Sequence, residues 1–598
     1  MLTKQLNAFM RVQRLLLCCL VMAASLPVVC AAADDIRVLI DVSGSMVKTD
    51  PHNLRKPAMR MLNGLIPSGS QAGVWTFGRY VTMVVKVGKV DDGWRKLADQ
   101  GVEQVHSLSQ FTNIESALER ASSDWGRADA SSNRNIILLT DGKVDISKQQ
   151  LKSEQSREEI LSKRIPDLKA KGVRVHAIAL SNNADEALLQ RLAVETGGSF
   201  EIARNAKDLQ RIFLHMFERA TKPDSIPLQG NEFSVDDSIS EMTLLVFRKT
   251  DKKVRLTQPD RQVHGEASHG PNVRWRNDQG YALITVKKPV SGRWQLDADV
   301  DDDNRVMIVT DLKLKVHDLP AYSTPDEALD FHVELHDRDQ KISKNSFLKF
   351  VDFKLRQEFE GVGSDLPLEL RQSRSVEDKG IYEHSLQPPL AEGVYQFEVS
   401  ADARTFDRAT RLTVEVQWPV TVKTEALDEV GHYQLVVTPR EAFIKPDSLR
   451  LAVSMKRPDG SESPVPMALQ GADWSGRLPA NEQQGDHAVS IEFQAETQAG
   501  KKISKSIKGI SVAGEIASKP ASAPEEVPAA PEIITEEGDS QGADVQDDSS
   551  LMTNLIIIGA SNGVLLLGGL GVFLFMRKRR SAIDVDLLGE EDEDVKDG

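Results

Sequence analysis

Cysteine is nearly absent from this chain. It has three among 598 residues, Cys18, Cys19 and Cys30, all near the start. No disulfide and no thiolate metal site can therefore form downstream of residue 30. No N-x-[ST] sequon occurs anywhere. Animal secreted ectodomains of this size usually carry both features, so their joint absence points to a bacterial protein. An excess of basic charge is also missing. The formal charge of −15 leaves nothing to offset phosphate repulsion and excludes a nucleic-acid partner. No LPxTG precedes the C-terminal apolar run, so sortase anchoring to a cell wall is not supported.

Both ends carry membrane signals. Lys4, Arg11 and Arg14 precede "LLLCCLVMAASLPVV" and a small-residue site ending at Ala33, which predicts a signal peptide over 1–33. An uncleaved anchor is disfavoured by the shortness of the run, and a lipoprotein by the bulk of Val29 before Cys30. "LIIIGASNGVLLLGGLGVFLFM" has 22 residues without a charge and is followed by "RKRR". This predicts a transmembrane helix over 554–576 and a cytoplasmic tail over 577–598. The topology is then single-pass type I in a bacterial inner membrane, with the ectodomain in the periplasm. Gly559 and Gly563 form a GxxxG that could pair two spans into a homodimer.

The length suggests roughly four domains. Over 34–221, apolar strands such as "IRVLID" and "NIILLT" alternate with helices whose apolar residues recur at i, i+3, i+4 and i+7. This predicts an α/β layer with a mostly parallel sheet. Beyond it the helical period vanishes. Short runs broken by Gly, Pro and Asp predict three all-β sandwiches over 222–315, 316–418 and 419–513. The segment 514–553 is rich in Pro, Ala and acid, and reads as a disordered tether.

Functional side chains concentrate at strand ends of the α/β layer. "RVLIDVSGSM" places Asp41, Ser43 and Ser45 at alternate positions after a buried strand. Thr112 opens a helix, and Asp141 follows the strand "NIILLT". In a parallel sheet these loops share one edge, where ligands bind. Five oxygen donors without His or Cys suit a hard cation, Mg²⁺ or else Mn²⁺ or Ca²⁺, rather than zinc. Each fragment also has an ordinary reading: Thr112-x-x-Glu115 spells a capping box, and "TDG" a turn.

Taken together, D-x-S-x-S after an apolar strand, a Thr at a helix start and a strand ending in T-D-G resemble the metal-ion-dependent adhesion site (MIDAS) of von Willebrand factor type A (vWA) domains. The resemblance covers about residues 34–220. It implies a Rossmann-like fold, a divalent cation held by Asp41, Ser43, Ser45, Thr112 and Asp141, and capture of an Asp or Glu carboxylate from a partner protein. The succeeding sandwiches are expected to be Ig-like. The implied function is protein binding rather than catalysis. A structural envelope protein with an incidental vWA site is the alternative, and a metal-dependent hydrolase a further one. For the latter, Asp41 lacks the second acid of a DxD pair and Ser45 lacks a G-x-S-x-G elbow.

Other motifs receive plainer readings. Asp297 to Asp303 begin like a calcium loop but lack its glycine and terminal glutamate, so an acidic hairpin turn is expected. His264, Glu266 and His269 could hold zinc but sit in a glycine-containing loop. Trp75 and Trp294 are expected in cores, and Tyr395 is expected to stabilise a sandwich.

Overall fold

The computed structural model describes residues 34–514, apart from 129–132, 182, 205–207, 250–251, 339, 361, 364–367, 373–379, 428–431 and 481–482. The expected signal peptide, the tether from residue 515 onward, the transmembrane helix with Gly559 and Gly563, and the tail lie outside the described residues. Among those described, no helix is long and apolar enough to cross a membrane.

The α/β layer is built on six strands: β1 (Asp34–Asp41), β2 (Gln71–Phe77), β3 (Val81–Lys89), β4 (Asn133–Thr140), β5 (Val173–Ala179) and β6 (Phe200–Ile202). Their order is β3-β2-β1-β4-β5-β6. All neighbours run parallel except β2 and β3, which form an antiparallel edge pair. β1 and β4 are adjacent in the sheet but far apart in sequence, which makes the groove above their C-terminal ends the topological switch point.

Among the described residues eight α-helices flank the sheet: α1 (Met46–Thr49), α2 (Arg55–Leu65), α3 (Asp92–Val102), α4 (Ile114–Ser122), α5 (Gln150–Glu159), α6 (Ile165–Ala170), α7 (Glu186–Thr196) and α8 (Leu209–Thr221), with a π-helical turn Ile160–Arg164 joining α5 to α6. α2, α3 and α8 cover one face, packing on Ile36, Val38 and Ile40 of β1. α4, α6 and α7 cover the other, packing on Leu39, Ile136 and Leu138. Burial on both faces is why these strands read as apolar runs without alternation.

Beyond α8 the described residues are mostly β, with a short helix at Asn345–Leu348 and a 3-10 turn at Pro446–Ser448, in sheets whose strands lie in two layers about successive cores. In the first region, the strands Ile239–Phe247, Tyr281–Lys287 and Arg305–Thr310 belong to the large sheet. Its Leu244, Val246 and Ile284 point into a core with Trp294 and Leu256 of a smaller facing sheet. The opposite face of the same strands is also buried. Leu245, Phe247, Tyr281 and Leu283 join α2 and α8 in one continuous core, and the Tyr281 hydroxyl donates to Pro57 O at 3.0 Å. Gly64 of α2 allows this approach, since a Cβ there would come within 2.1 Å of Leu283 Cδ2. The large sheet has eleven strands because the two-residue strand Ser225–Ile226 pairs with both Arg305–Thr310 and Asp407–Val416. It thereby joins the sheet of residues 222–315 to that of the following region. Two further four-stranded sheets enclose the last core, with Leu435, Val437, Ile491 and Phe493 inside.

Trp75 and Trp294 are buried as expected. Tyr395 is buried too, and its hydroxyl accepts a hydrogen bond from Ala391 N at 3.0 Å, four residues upstream. This is the tyrosine-corner arrangement of β-sandwiches.

Candidate functional site

The loop after β1 is turned by its own side chains. Ser43 N donates to Asp41 Oδ1 at 2.8 Å, closing an Asx turn that bends the chain over the strand end. Gly44 N then donates to Ser109 O at 2.8 Å and Ser109 N to Val42 O at 3.0 Å, tying the loop to the segment before α4. Thr112 is brought in by two backbone bonds with Asp145, N to O at 2.6 Å and the reverse at 3.1 Å. Those bonds lay Thr112 beside the Asp141 turn, where a Cβ on Gly142 would stand 3.4 Å from Thr112 Oγ1.

The five residues therefore meet. The Ser43 and Ser45 hydroxyls are 2.9 Å apart, and Ser45 Oγ donates to Asp141 Oδ1 at 2.7 Å. Asp41, Ser43, Thr112 and Asp141 are buried, while Ser45 is exposed at the mouth. Asn113, not Thr112, caps α4 by accepting from Ser116 N at 3.0 Å, which frees the threonine hydroxyl from that duty.

The electrostatics favour a cation. Burial pushes the Asp41 carboxyl up to about 6; hydrogen bonds from Ser43 and Thr140 oppose this, and the nearby Asp141 charge adds to it. Among the described residues neither Asp41 nor Asp141 has an ion-pair partner. Two buried acids held by hydroxyls leave a deficit of positive charge, and one hard divalent ion matches it. The donor set present thus fits such an ion.

Several positioning groups escaped the sequence reading. Thr140 Oγ1 donates to Asp41 Oδ2 at 2.6 Å, and Thr49 Oγ1 to Asp141 Oδ2 at 2.6 Å. Ser181 Oγ donates to Asp141 O at 2.8 Å. The Arg55 guanidinium is fully buried. It bonds Asp50 Oδ2 at 2.7 Å, Asp41 O at 2.6 Å and Ser107 Oγ at 2.7 Å, clamping two loops of the site together. Thr140 alone had a readable signal, adjoining Asp141 at the strand end. The others depend on contacts that spacing does not encode.

The two plainer acidic and histidine motifs resolve differently. Asp301 is gripped by both Arg211 nitrogens, at 2.8 and 2.9 Å, and by Lys249 at 3.0 Å. Asp303 takes Arg211 and His215. The aspartates are thus a docking surface for α8, as a plain acidic turn allows. In the other motif, His264 pairs with Gln258 while His269 stacks on Trp275, ring centroids 6.5 Å apart. The three residues of that loop make no convergent ligand set among the described residues.

Comparison with known proteins bears on the α/β layer. The family model for the von Willebrand factor type A domain matches residues 35–215. Similar solved structures include a von Willebrand factor type A protein from Catenulispora acidiphila (15% identity, 51% of this chain and 62% of that one, TM-score 0.27). Proximal thread matrix protein 1 from the mussel byssus is 20% identical over 35% of this chain and 51% of its own, TM-score 0.27. The vWF domain of the type V pili tip protein Mfa5 from Porphyromonas gingivalis is 11% identical, with 32% of this chain and 95% of that domain covered, TM-score 0.24. The chain therefore spans less than two thirds of the first two of these proteins. No curated protein matches it. Domains of the matched family are typically interaction or adhesion modules, generally non-enzymatic, and often hold a metal ion at a MIDAS. Residues 35–215 are a von Willebrand factor type A domain.

Proposed function

We propose that this chain is a membrane-anchored, periplasmic protein-binding module whose vWA domain captures an acidic residue of a partner through a Mg²⁺-type ion. The observation that carries this reading is the pair of buried carboxylates, Asp41 and Asp141, without an ion-pair partner among the described residues and ringed by the Ser43, Ser45 and Thr112 hydroxyls at the switch point. Asp41, Ser43, Ser45, Thr112 and Asp141 would hold the ion. The ion would offer its remaining coordination place to a carboxylate, because five protein donors leave a six-coordinate hard ion one oxygen short.

The surface around the site supports a protein ligand. Val47, Tyr80 and Leu108 are 53%, 74% and 83% exposed. Val47 lies in α1 and the other two in loops, and the three segments are tied through Ser109: Gly44 N donates to Ser109 O and Arg79 N to Ser109 Oγ. An apolar rim around a polar centre is the layout of a recognition patch. The β regions, read as Ig-like sandwiches, would carry this patch away from a type I anchor in a bacterial inner membrane. Gly559 and Gly563 would permit pairing of two copies.

Calorimetry with Mg²⁺ and Mn²⁺ tests the central step. The wild-type chain is expected to bind one ion at this site, and Asp141→Ala to lose that binding while keeping its fold. Partner retention on the immobilised chain should then require Mg²⁺ and fail in EDTA. Equal ion uptake by wild type and Asp141→Ala would refute the reading.

A further inference from the structure

A second cluster of metal-ligating side chains lies outside the vWA site, on the separate sheet containing the strands Leu312–His317 and Leu329–Asp337. These strands are antiparallel, with His317 opposite His332, Lys315 opposite Glu334 and Lys313 opposite His336. Phe331, Val333 and Leu335 fill the core. Strand alternation therefore sends His332, Glu334 and His336 to the outer face. His336 Nε2 is 2.8 Å from Glu334 Oε2, and His317 Nε2 is 3.6 Å from the same oxygen. One ligand atom from each of His317, Glu334 and His336 lies within 4.8 Å of the other two.

The surroundings suit a bound ion better than a plain polar face. His317 Nε2 is buried and has no hydrogen-bond partner, although a carboxylate oxygen stands just beyond bonding distance. A buried nitrogen left in that state is unfavourable unless something else satisfies it. The other carboxylate oxygen, Glu334 Oε1, faces Lys341 Nζ at 3.5 Å, which leaves Oε2 turned to the two imidazoles. His332 backs the cluster. It stacks on His317 with ring centroids 4.8 Å apart, and its Nδ1 is held by Asp318 Oδ2 at 2.5 Å. Bonds of about 2.0–2.2 Å to a tetrahedral ion put neighbouring ligand atoms about 3.4 Å apart, inside the range found here.

We propose that His317, Glu334 and His336 form a binding site for a borderline divalent ion of the zinc class, distinct from the vWA site. Two imidazoles and one carboxylate select zinc, cobalt or nickel over magnesium, which prefers oxygen. Three protein ligands leave one position for water or an outside donor. The ion would also cross-link the two strands through His317 on one and Glu334 and His336 on the other.

The test uses the full chain, stripped of metal by chelator and held in excess Mg²⁺ to saturate any hard-ion site. Zn²⁺ is titrated by calorimetry and Co²⁺ by visible absorption. Wild type is expected to bind Zn²⁺ and to give the intense bands of low-coordinate Co²⁺. His317→Ala and Glu334→Gln should each weaken Zn²⁺ binding at least tenfold and abolish the Co²⁺ bands, whereas Asp141→Ala should leave both intact. His317 is 41% exposed at its side chain, so its replacement is compatible with folding even if a change at His336 is not. Zn²⁺ affinity and Co²⁺ spectrum unchanged in His317→Ala, or no uptake by wild type, would overturn the proposal. Loss of both signals in Asp141→Ala would equally overturn it, by assigning them to the vWA site.

Discussion

At the scale of single residues, the vWA site depends on groups that do not themselves face its centre. Arg55 and Asp50 are an ion pair with no exposed side-chain surface, and Arg55 also carries the Asp41 carbonyl and Ser107. Removing the guanidinium strands a buried carboxylate, so Arg55→Ala should lower stability by about 3–5 kcal/mol in urea unfolding. Thr49 acts more gently. Thr49→Val removes the hydroxyl that holds Asp141 Oδ2 and should weaken Mg²⁺ binding about tenfold, with the unfolding midpoint nearly unchanged. A Thr49→Val chain with wild-type Mg²⁺ affinity would show that this contact does not orient the acid. His176 supplies a pH signature. Burial, reinforced by the positive charges of Arg174 and Arg219, lowers it to about 3. Below its unfolded value near 6.5 only the unfolded chain takes up the proton, so stability falls as pH drops toward 3. The loss should be of order 2 kcal/mol at pH 5 relative to neutral pH, and His176→Gln should flatten that slope in denaturant titrations at several pH values.

At the scale of elements, much of the α/β layer was legible because its strands are apolar throughout and its helices keep a single stripe. α7 illustrates it: Leu188, Leu189, Leu192 and Ala193 are all buried, and Gly197 closes the helix at φ 72°. Gly198 has another duty, because a Cβ there would lie 2.0 Å from the Val175 carbonyl oxygen. Backbone cannot yield as a side chain can, so Gly198→Ala should destabilise by at least 1–3 kcal/mol in thermal melts, roughly the cost of overpacking. α5 was not legible. Its sequence, QLKSEQSREE, buries only Ser156, so there is no stripe to read. The capping role that Thr112-x-x-Glu115 also spells falls instead to Asn113, which lies one residue closer to the helix. The meeting of Asp41, Ser43, Ser45, Thr112 and Asp141 could be read because all five adjoin strand and helix ends. Arg55, Thr49 and Ser181 could not, since a salt bridge or hydroxyl bond across 14 to 92 positions leaves no local pattern.

At the scale of the whole described chain, the vWA domain does not end where its helices end. "MTLLVF" is apolar on both faces because Leu245 and Phe247 serve α2 and α8 while Leu244 and Val246 serve the next core. The alternating pattern expected of a half-exposed strand was therefore never present there. Arg305 joins the two regions through Glu218, Nε to Oε1 at 2.6 Å, alongside the grip of Arg211 on Asp301. His215 adds a titrating latch. Burial opposes its charge, but hydrogen bonds to Asp303 and Glu201 raise it to about 9. Its contribution is complete below about 6.5 and disappears as pH rises through 9. Wild type should accordingly lose more stability between pH 7 and pH 10 than His215→Gln, as read by urea midpoints. A shared core also predicts one calorimetric transition for residues 34–315, and Leu283→Asp should lower it as a unit.

The strand Ser225–Ile226 comes four residues after α8 and is stitched on both sides. A swivel cannot operate at such a joint. If a tethered partner tugs on the vWA domain, the pull arrives at two β regions simultaneously, and the assembly behaves as a stiff lever rather than a string of beads. Any compliance between those regions then has to come from elsewhere along the chain.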